Sequence, residues 1–202
     1  MSKLQYLALG LMGLMLTGCA SFTPTGPIGM PSEAIEQAIP RGAMVKDVQV
    51  TDTRVSSRQK LNIEKGLTAQ ITRHIEQGQY FERVIAFPAT LGQQDVELQF
   101  TFNALHGKRS PHAAYFPGAI LTATLWIWFN GPIYVDNYDL AGELKVVDLN
   151  GQQLALAEKA IRMKKNTGLW DRDYWVAGSL GHTQLTSLVE GLLKAASQQL
   201  SK

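Results

Sequence analysis

Residues 95–104 read Asp-Val-Glu-Leu-Gln-Phe-Thr-Phe-Asn-Ala, so that Val96, Leu98, Phe100 and Phe102 alternate with Glu97, Gln99, Thr101 and Asn103. Successive side chains of a strand point to opposite faces, and a period of two with one polar set describes a strand buried on one side only. A chain built around such a strand must supply one apolar layer for the sheet and leave the other face to water. Two segments offer that layer. Leu67, Ile71 and Ile75 recur at every fourth residue of a helix expected from Ser56 or Ser57 to Gln77, with Leu61 and Ile63 leading in and Gly78 as its C-cap. Leu185, Leu188, Val189, Leu192, Leu193 and Ala196 form one apolar stripe on a second helix, 183–200.

The remaining strands follow from weaker patterns. Met44, Val48 and Val50 give partial alternation over 43–55, and 81–87 is a short apolar strand ended by Pro88. Segments 140–149 and 152–163 flank Asn150-Gly151, the pair favoured in a type I′ turn, and read as a hairpin. Ser32 and Pro40 bracket a short helix, 33–39. The order predicts an α+β fold: a mixed or antiparallel sheet with two main helices packed on one face. The opening strand, amphipathic helix and short strand resemble periplasmic lipoprotein domains of the curli-secretion-channel type and the amino-terminal domain of TolB. Leu67, Ile71, Ile75, Phe81, Val84 and Ile85 carry that resemblance, which brings over no functional residue.

Met1-Ser2-Lys3 places one positive charge before an uncharged run, Leu4 to Leu16, that ends in Leu16-Thr17-Gly18-Cys19. The run suits a signal peptide and is short for a membrane crossing. Cys19 is the single cysteine of the chain, which excludes an internal disulfide and a cysteine-based zinc site. The basic start, the apolar run and Leu-x-Gly-Cys together resemble the lipobox of bacterial lipoproteins. That resemblance implies removal of residues 1–18 and acylation of Cys19 by a thioether-linked diacylglycerol and an N-acyl chain; two or more tails hold a protein firmly where one does not. Ala20 stands where an Asp favours inner-membrane retention, which implies the inner leaflet of the outer membrane, facing the periplasm. The three prolines and two glycines of 20–31 read as a flexible tether. The expected organisation is a signal peptide over 1–18, the lipidated cysteine and tether over 19–42, and one periplasmic domain over 43–202.

Residues 110–135 contain no Asp, Glu, Lys or Arg. Pro111, Pro117, Pro132, Gly118 and Gly131 interrupt the run and speak against a transmembrane helix. Two readings stay open. In one, 119–129 is a central strand covered on both faces, with Ile120, Thr122, Thr124, Trp126 and Trp128 on one side. In the other, Trp126 and Trp128, with Tyr115, Phe116 and Tyr134 nearby, form an exposed aromatic surface that enters a bilayer or docks a partner. A second aromatic segment, 166–175, mixes Trp170, Tyr174 and Trp175 with charges in the manner of an interface, or else covers the bottom of the sheet. Trp126, Trp128, Trp170 and Trp175 are the binding candidates.

Catalytic constellations are scarce. His106 and His112 are too far apart for the usual helical metal pair, His74 is expected to be partly exposed on the first helix, and His182 borders the last one. Ser179 lacks the spacing of a nucleophile elbow, and the carboxylate pairs Asp136/Asp139 and Asp171/Asp173 match no calcium loop. No metal site and no cofactor are expected. A net charge of +2 with no long basic run argues against nucleic acid. The reading is a non-catalytic, lipid-anchored periplasmic binding or assembly protein, whose partners are the membrane, through its anchor, and an envelope protein. The alternatives are an oligomeric pore or secretion component inserting 110–135, and an envelope hydrolase using an aspartate or Ser179.

Overall fold

The computed structural model describes residues 19–32, 38–86, 89–175 and 180–201. Residues 1–18, most of the helix expected at 33–39, the end of the strand expected at 81–87, and Ser179 lie outside them.

The alternating segment extends further than its sequence pattern. Strand β5 runs from Val96 to Pro111. On one edge it pairs antiparallel, from Glu97 to Pro111, with β6 (Tyr134–Val147), which pairs antiparallel with β7 (Gln153–Thr167). Its other edge is filled in three instalments: β2 (Ile39–Val45) and β3 (Gln49–Val50) lie parallel to it, and β1 (Ala20–Phe22) antiparallel. Strand β4 (Phe81–Val84) adds to β2 in parallel, giving the order β4-β2-β5-β6-β7. The sheet is therefore mixed, and the fold is α+β as expected.

Helices α1 (Ser57–Gly78) and α5 (His182–Leu200) bury Leu67, Ile71 and Ile75, and the expected stripe from Leu185 to Ala196, against Val96, Leu98, Phe100, Phe102, Leu105, Leu140 and Leu144. The opposite face carries Gln99, Thr101, Glu143, Lys145 and Glu158 in cross-strand register. One apolar face covered by two helices and one polar face in water follow from the period-two pattern.

Several local expectations are corrected. Ile39 opens a strand and belongs to no helix, and 43–55 is split between β2 and β3. Helix α1 continues through Gly78, and Gln79 takes the left-handed cap at φ 50°. The β6–β7 connection is not a type I′ turn. Gly151 N–H donates to Asp148 O at 3.0 Å with Gly151 at φ +78°, and Asp148 Oδ1 accepts from Asn150 N–H and Gln152 N–H. Glycine is favoured at that left-handed position because a Cβ there is strained.

The expected tether is built into the fold. Beyond β1, Ile28 N–H donates to Gln70 Oε1 and Gly29 N–H to Thr186 Oγ1, while Ser32 N–H and Oγ–H both reach Glu190. The strap thus crosses from α1 to α5. His74, expected to be partly exposed, is buried beneath it; its Nδ1–H donates to Gly29 O at 2.7 Å and its ring stacks on Tyr80. Close packing fixes the strap's start, since a Cβ at Gly107 would run into the Phe22 ring. Gly107→Val is expected to expel β1 and expose 20–32 to protease while α1, α5 and the main sheet keep their unfolding transition; an unchanged cleavage rate would refute the close packing.

A bulge at Asn103 shifts the β5–β6 register between Phe102 and Ala104. Beside it, Asp52 replaces a neighbouring strand: Oδ2 accepts Leu105 N–H at 2.7 Å, and the carboxylate is gripped by Arg54, which also reaches Asp139 at 2.8 Å. Burial alone would raise the Asp52 carboxyl, but the bonds from Arg54 and Leu105 overcome it and hold the group at about 2. A folded value below the ordinary 3.8 means that this contribution is complete above that pH and is lost as pH falls toward about 2. Asp52→Ala is expected to cost about 1–3 kcal/mol at neutral pH, with the gap to the unsubstituted chain narrowing in acid, as read by urea unfolding across pH. A gap independent of pH would contradict the assignment.

Candidate functional site

Beyond Pro111 and before Tyr134 the β5 and β6 strands stop pairing, and the uncharged connection forms a compact head. It holds α2 (Tyr115–Leu121) and α3 (Leu125–Trp128). The central strand considered for 119–129 is not formed. Strands β5 and β6 are already paired with each other, so the connection has no neighbouring edge to join. A helix meets its backbone hydrogen bonds internally. Pro117 lies in the first turn of α2, where its missing N–H is harmless. Thr122 Oγ–H donates to Gly118 O at 2.7 Å and accepts Trp126 N–H at 2.9 Å, welding the two short helices at a corner where Ala123 and Thr124 take positive φ. The barrel strand that a pore would require of this segment is likewise absent among the described residues.

The head is held from below. His112 N–H donates to Ile133 O and Ile133 N–H to Thr167 O, continuing the ladder past the last strand residues. Trp126 is half-buried between Gly118 and Gly131, with its indole N–H donating to Pro132 O at 3.3 Å. It packs as a pin, half covered where a fully exposed ring was expected. The other three candidates are exposed and adjoin the same structure. Trp128 and Trp170 face each other at 6.0 Å, Trp170 N–H donates to Asn130 Oδ1, and its indole N–H to Trp128 O. Trp175, on α4 (Arg172–Trp175), packs edge-on against Tyr174, which lies 6.0 Å from Tyr134. The two aromatic segments thus meet at one end of the sheet and gather all four tryptophans of the chain.

The exposure is large. No residue of α2 or α3 is buried, and Leu121 and Phe129 are each 84% accessible, with Ile120, Leu125, Trp128 and Trp175 also outward. Soluble surfaces rarely group this much apolar area without a use for it.

Under the head lies an ion-pair lock whose members were not singled out as a group from sequence. Asp136 is fully buried and accepts both Nε–H and Nη2–H of Arg109, at 2.6 and 2.7 Å, and the Thr167 hydroxyl at 2.7 Å. Arg109 also donates to Asp173 O and lies 5.1 Å from the centre of the Tyr134 ring, while Lys165 pairs with Asp173 at 2.7 Å. The hydrogen bonds that Arg109 donates to Asp136 raise its guanidinium against the opposing effect of burial. Tyr138, edge-on to Phe22 just below, is raised by burial and then by the negative charges of Asp136 and Asp173, and its hydroxyl is buried without a hydrogen-bond partner.

These contacts account for the aspartates considered for hydrolysis. Asp136 and Asp139 point to opposite faces of β6; Asp139 belongs to Arg54 and Arg162, and Asp171 accepts Gly168 N–H. His112 Nδ1 accepts Ala114 N–H within the loop. No group of three possible metal ligands occurs among the described residues. No helix among them is long and apolar enough to cross a membrane.

Fold and site define a mixed-sheet α+β protein bearing an apolar, aromatic head at one end of its longest hairpin. No protein-family model matches the chain, and no curated protein does. Among solved structures it is similar to a Xanthomonas campestris protein of the DUF330 family, at 10% identity over 90% of this chain and 99% of that one, with a TM-score of 0.48. It is also similar to a neuraminyllactose-binding hemagglutinin homologue of Helicobacter pylori (9% identity, 86% and 93% coverage, TM-score 0.43). A third is the uncharacterized lipoprotein B of Nitrosomonas europaea (11% identity, 85% and 91% coverage, TM-score 0.36). With TM-scores below 0.5, these similarities assign no activity, ligand or location to this chain.

The lock is expected to behave as a buried pair. Arg109→Leu leaves Asp136 charged and unpaired in the interior and should cost about 3–5 kcal/mol. Lys165→Ala leaves the buried Asp173 carboxylate to water admitted at the half-exposed lysine position, and should cost less, about 1–3 kcal/mol. Adding Asp136→Leu to Arg109→Leu should restore much of the loss in denaturant unfolding; equal costs for Arg109 and Lys165 would contradict the reading.

Proposed function

We propose that the chain is a non-catalytic, lipid-anchored protein of the bacterial cell envelope, held at the periplasmic side of the outer membrane by acyl chains on Cys19, and acting by binding through its apolar head. The observation that carries this reading is the gathering of exposed apolar side chains and all four tryptophans at the end of the sheet where the exposed Cys19 leads into β1. The lipobox pattern at Leu16-Thr17-Gly18-Cys19 and the engagement of the candidate aspartates in ion pairs and turn bonds support it. The mechanism is positional: confinement near one membrane raises the effective concentration of the domain for its envelope partners.

The test is metabolic labelling with palmitate followed by alkaline washing of membranes. The unsubstituted chain is expected to take up label and to stay with the washed membranes. Cys19→Ser is expected to take up none, to accumulate unprocessed and to be washed free if cleaved elsewhere. An unsubstituted chain that incorporates no fatty acid would overturn the anchor.

A further inference from the structure

We propose that the occupant of the apolar head is the lipid bilayer itself, in the leaflet that carries the protein's own anchor. The head dips into the boundary between headgroups and acyl chains as a second, non-covalent attachment. The inference rests on the proposed acylation of Cys19 and goes further by assigning what the head touches.

Geometry comes first. The β1–β5 register pairs Ala20 with Arg109 and Ser21 with Lys108. One further step in that antiparallel ladder brings Cys19 to the level of Ser110, the penultimate residue of β5 before the head. With 20–32 bound along the body, no slack separates an acylated sulfur from the root of the head. Acyl chains that enter a bilayer from Cys19 bring the head to its surface.

The chemistry of the head matches that position. Between Ser110 and Val135 no side chain carries a carboxylate, ammonium or guanidinium. Ile120, Leu121 and Leu125, with Phe129 just past the second helix, project outward from two helices far too short to cross a membrane. Apolar side chains on elements that cannot span can still bury at the boundary between headgroups and acyl chains. Below them Tyr134, Tyr174 and Trp175 form a contiguous ring cluster at the level where aromatic side chains favour the headgroup region. Exposed Lys108 and Lys164 flank Asn137 on the open face of the sheet, and exposed Arg172 follows on α4. The acids at this level are turned inward, Asp136 to Arg109, Asp173 to Lys165 and Asp171 to the Gly168 N–H. The collar therefore presents cations, which anionic headgroups attract.

All four tryptophans report on the head or its flank, so the full acylated chain can be followed by its own fluorescence in vesicles of phosphatidylethanolamine and phosphatidylglycerol carrying nitroxide at a shallow acyl position. The expected result is a blue-shifted emission quenched roughly twofold by the nitroxide and shielded from aqueous iodide. Leu121→Asp with Leu125→Asp alters only exposed side chains. That variant should still float with the vesicles through Cys19, yet lose the nitroxide quenching and become open to iodide. An unsubstituted chain that floats while its tryptophans stay open to iodide would overturn the head assignment and leave the anchor intact. A photo-crosslinker at Leu121 that captures one protein in cells, with no lipid adduct, would overturn it equally. A chain that neither floats nor takes up palmitate would sink both readings together.

Discussion

Everything else in this molecule is arranged along one sixteen-residue strand. Strand β5 gives one whole edge to β6 and divides the other among β2, β3 and β1. An edge filled in pieces leaves gaps, and backbone groups in a gap need partners. The bulge at Asn103 and the Asp52 carboxylate on Leu105 N–H meet that need at the junction between β3 and the outer part of the strand. The bulge also changes which residues face the helices. Without it, Leu105, Gly107 and Arg109 would point to the open side.

That change of side explains the electrostatics beneath the head. Arg109 reaches Asp136 only because both lie on the covered face, where β5, β6 and β7 have run past the main apolar core. In place of more leucines the structure uses a desolvated guanidinium–carboxylate pair, closed by Thr167 and tied to α4 through Asp173. Such a pair adds little net stability over apolar residues, but it is directional. It fixes the ends of three strands and one helical turn relative to one another, and so orients the surfaces that carry Trp128, Trp170 and Trp175.

Sequence periodicity made the layer architecture legible. The stripes at Leu67, Ile71 and Ile75 and from Leu185 to Ala196 needed only a helical period, and 96–102 only a period of two. What escaped was decided by tertiary partners. Pairing of 20–22 with β5 and capture of 28–32 by Gln70, Thr186 and Glu190 cannot be seen in a segment rich in proline and glycine. Of the two readings open for 119–129, the strand fails because β-branched and aromatic residues favour strands only where an edge is available. Trp126 and Trp128 share strand parity, yet on helices one became a pin and the other a surface. The lock had a signal that was missed: Asp136, Leu140 and Leu144 share the same even parity along one strand, whereas Asp139 does not.

The turn closed by Asp148 and Gly151 lies at the other extremity of β6 from the head. Fourteen residues of strand, at about 3.3 Å each, separate the two by about 45 Å. A sheet braced by two helices does not fold up along that direction. Whatever grips the head therefore sets the reach of the molecule, and a target recognised near Gly151 would be met at one fixed height, as by a rod of set length.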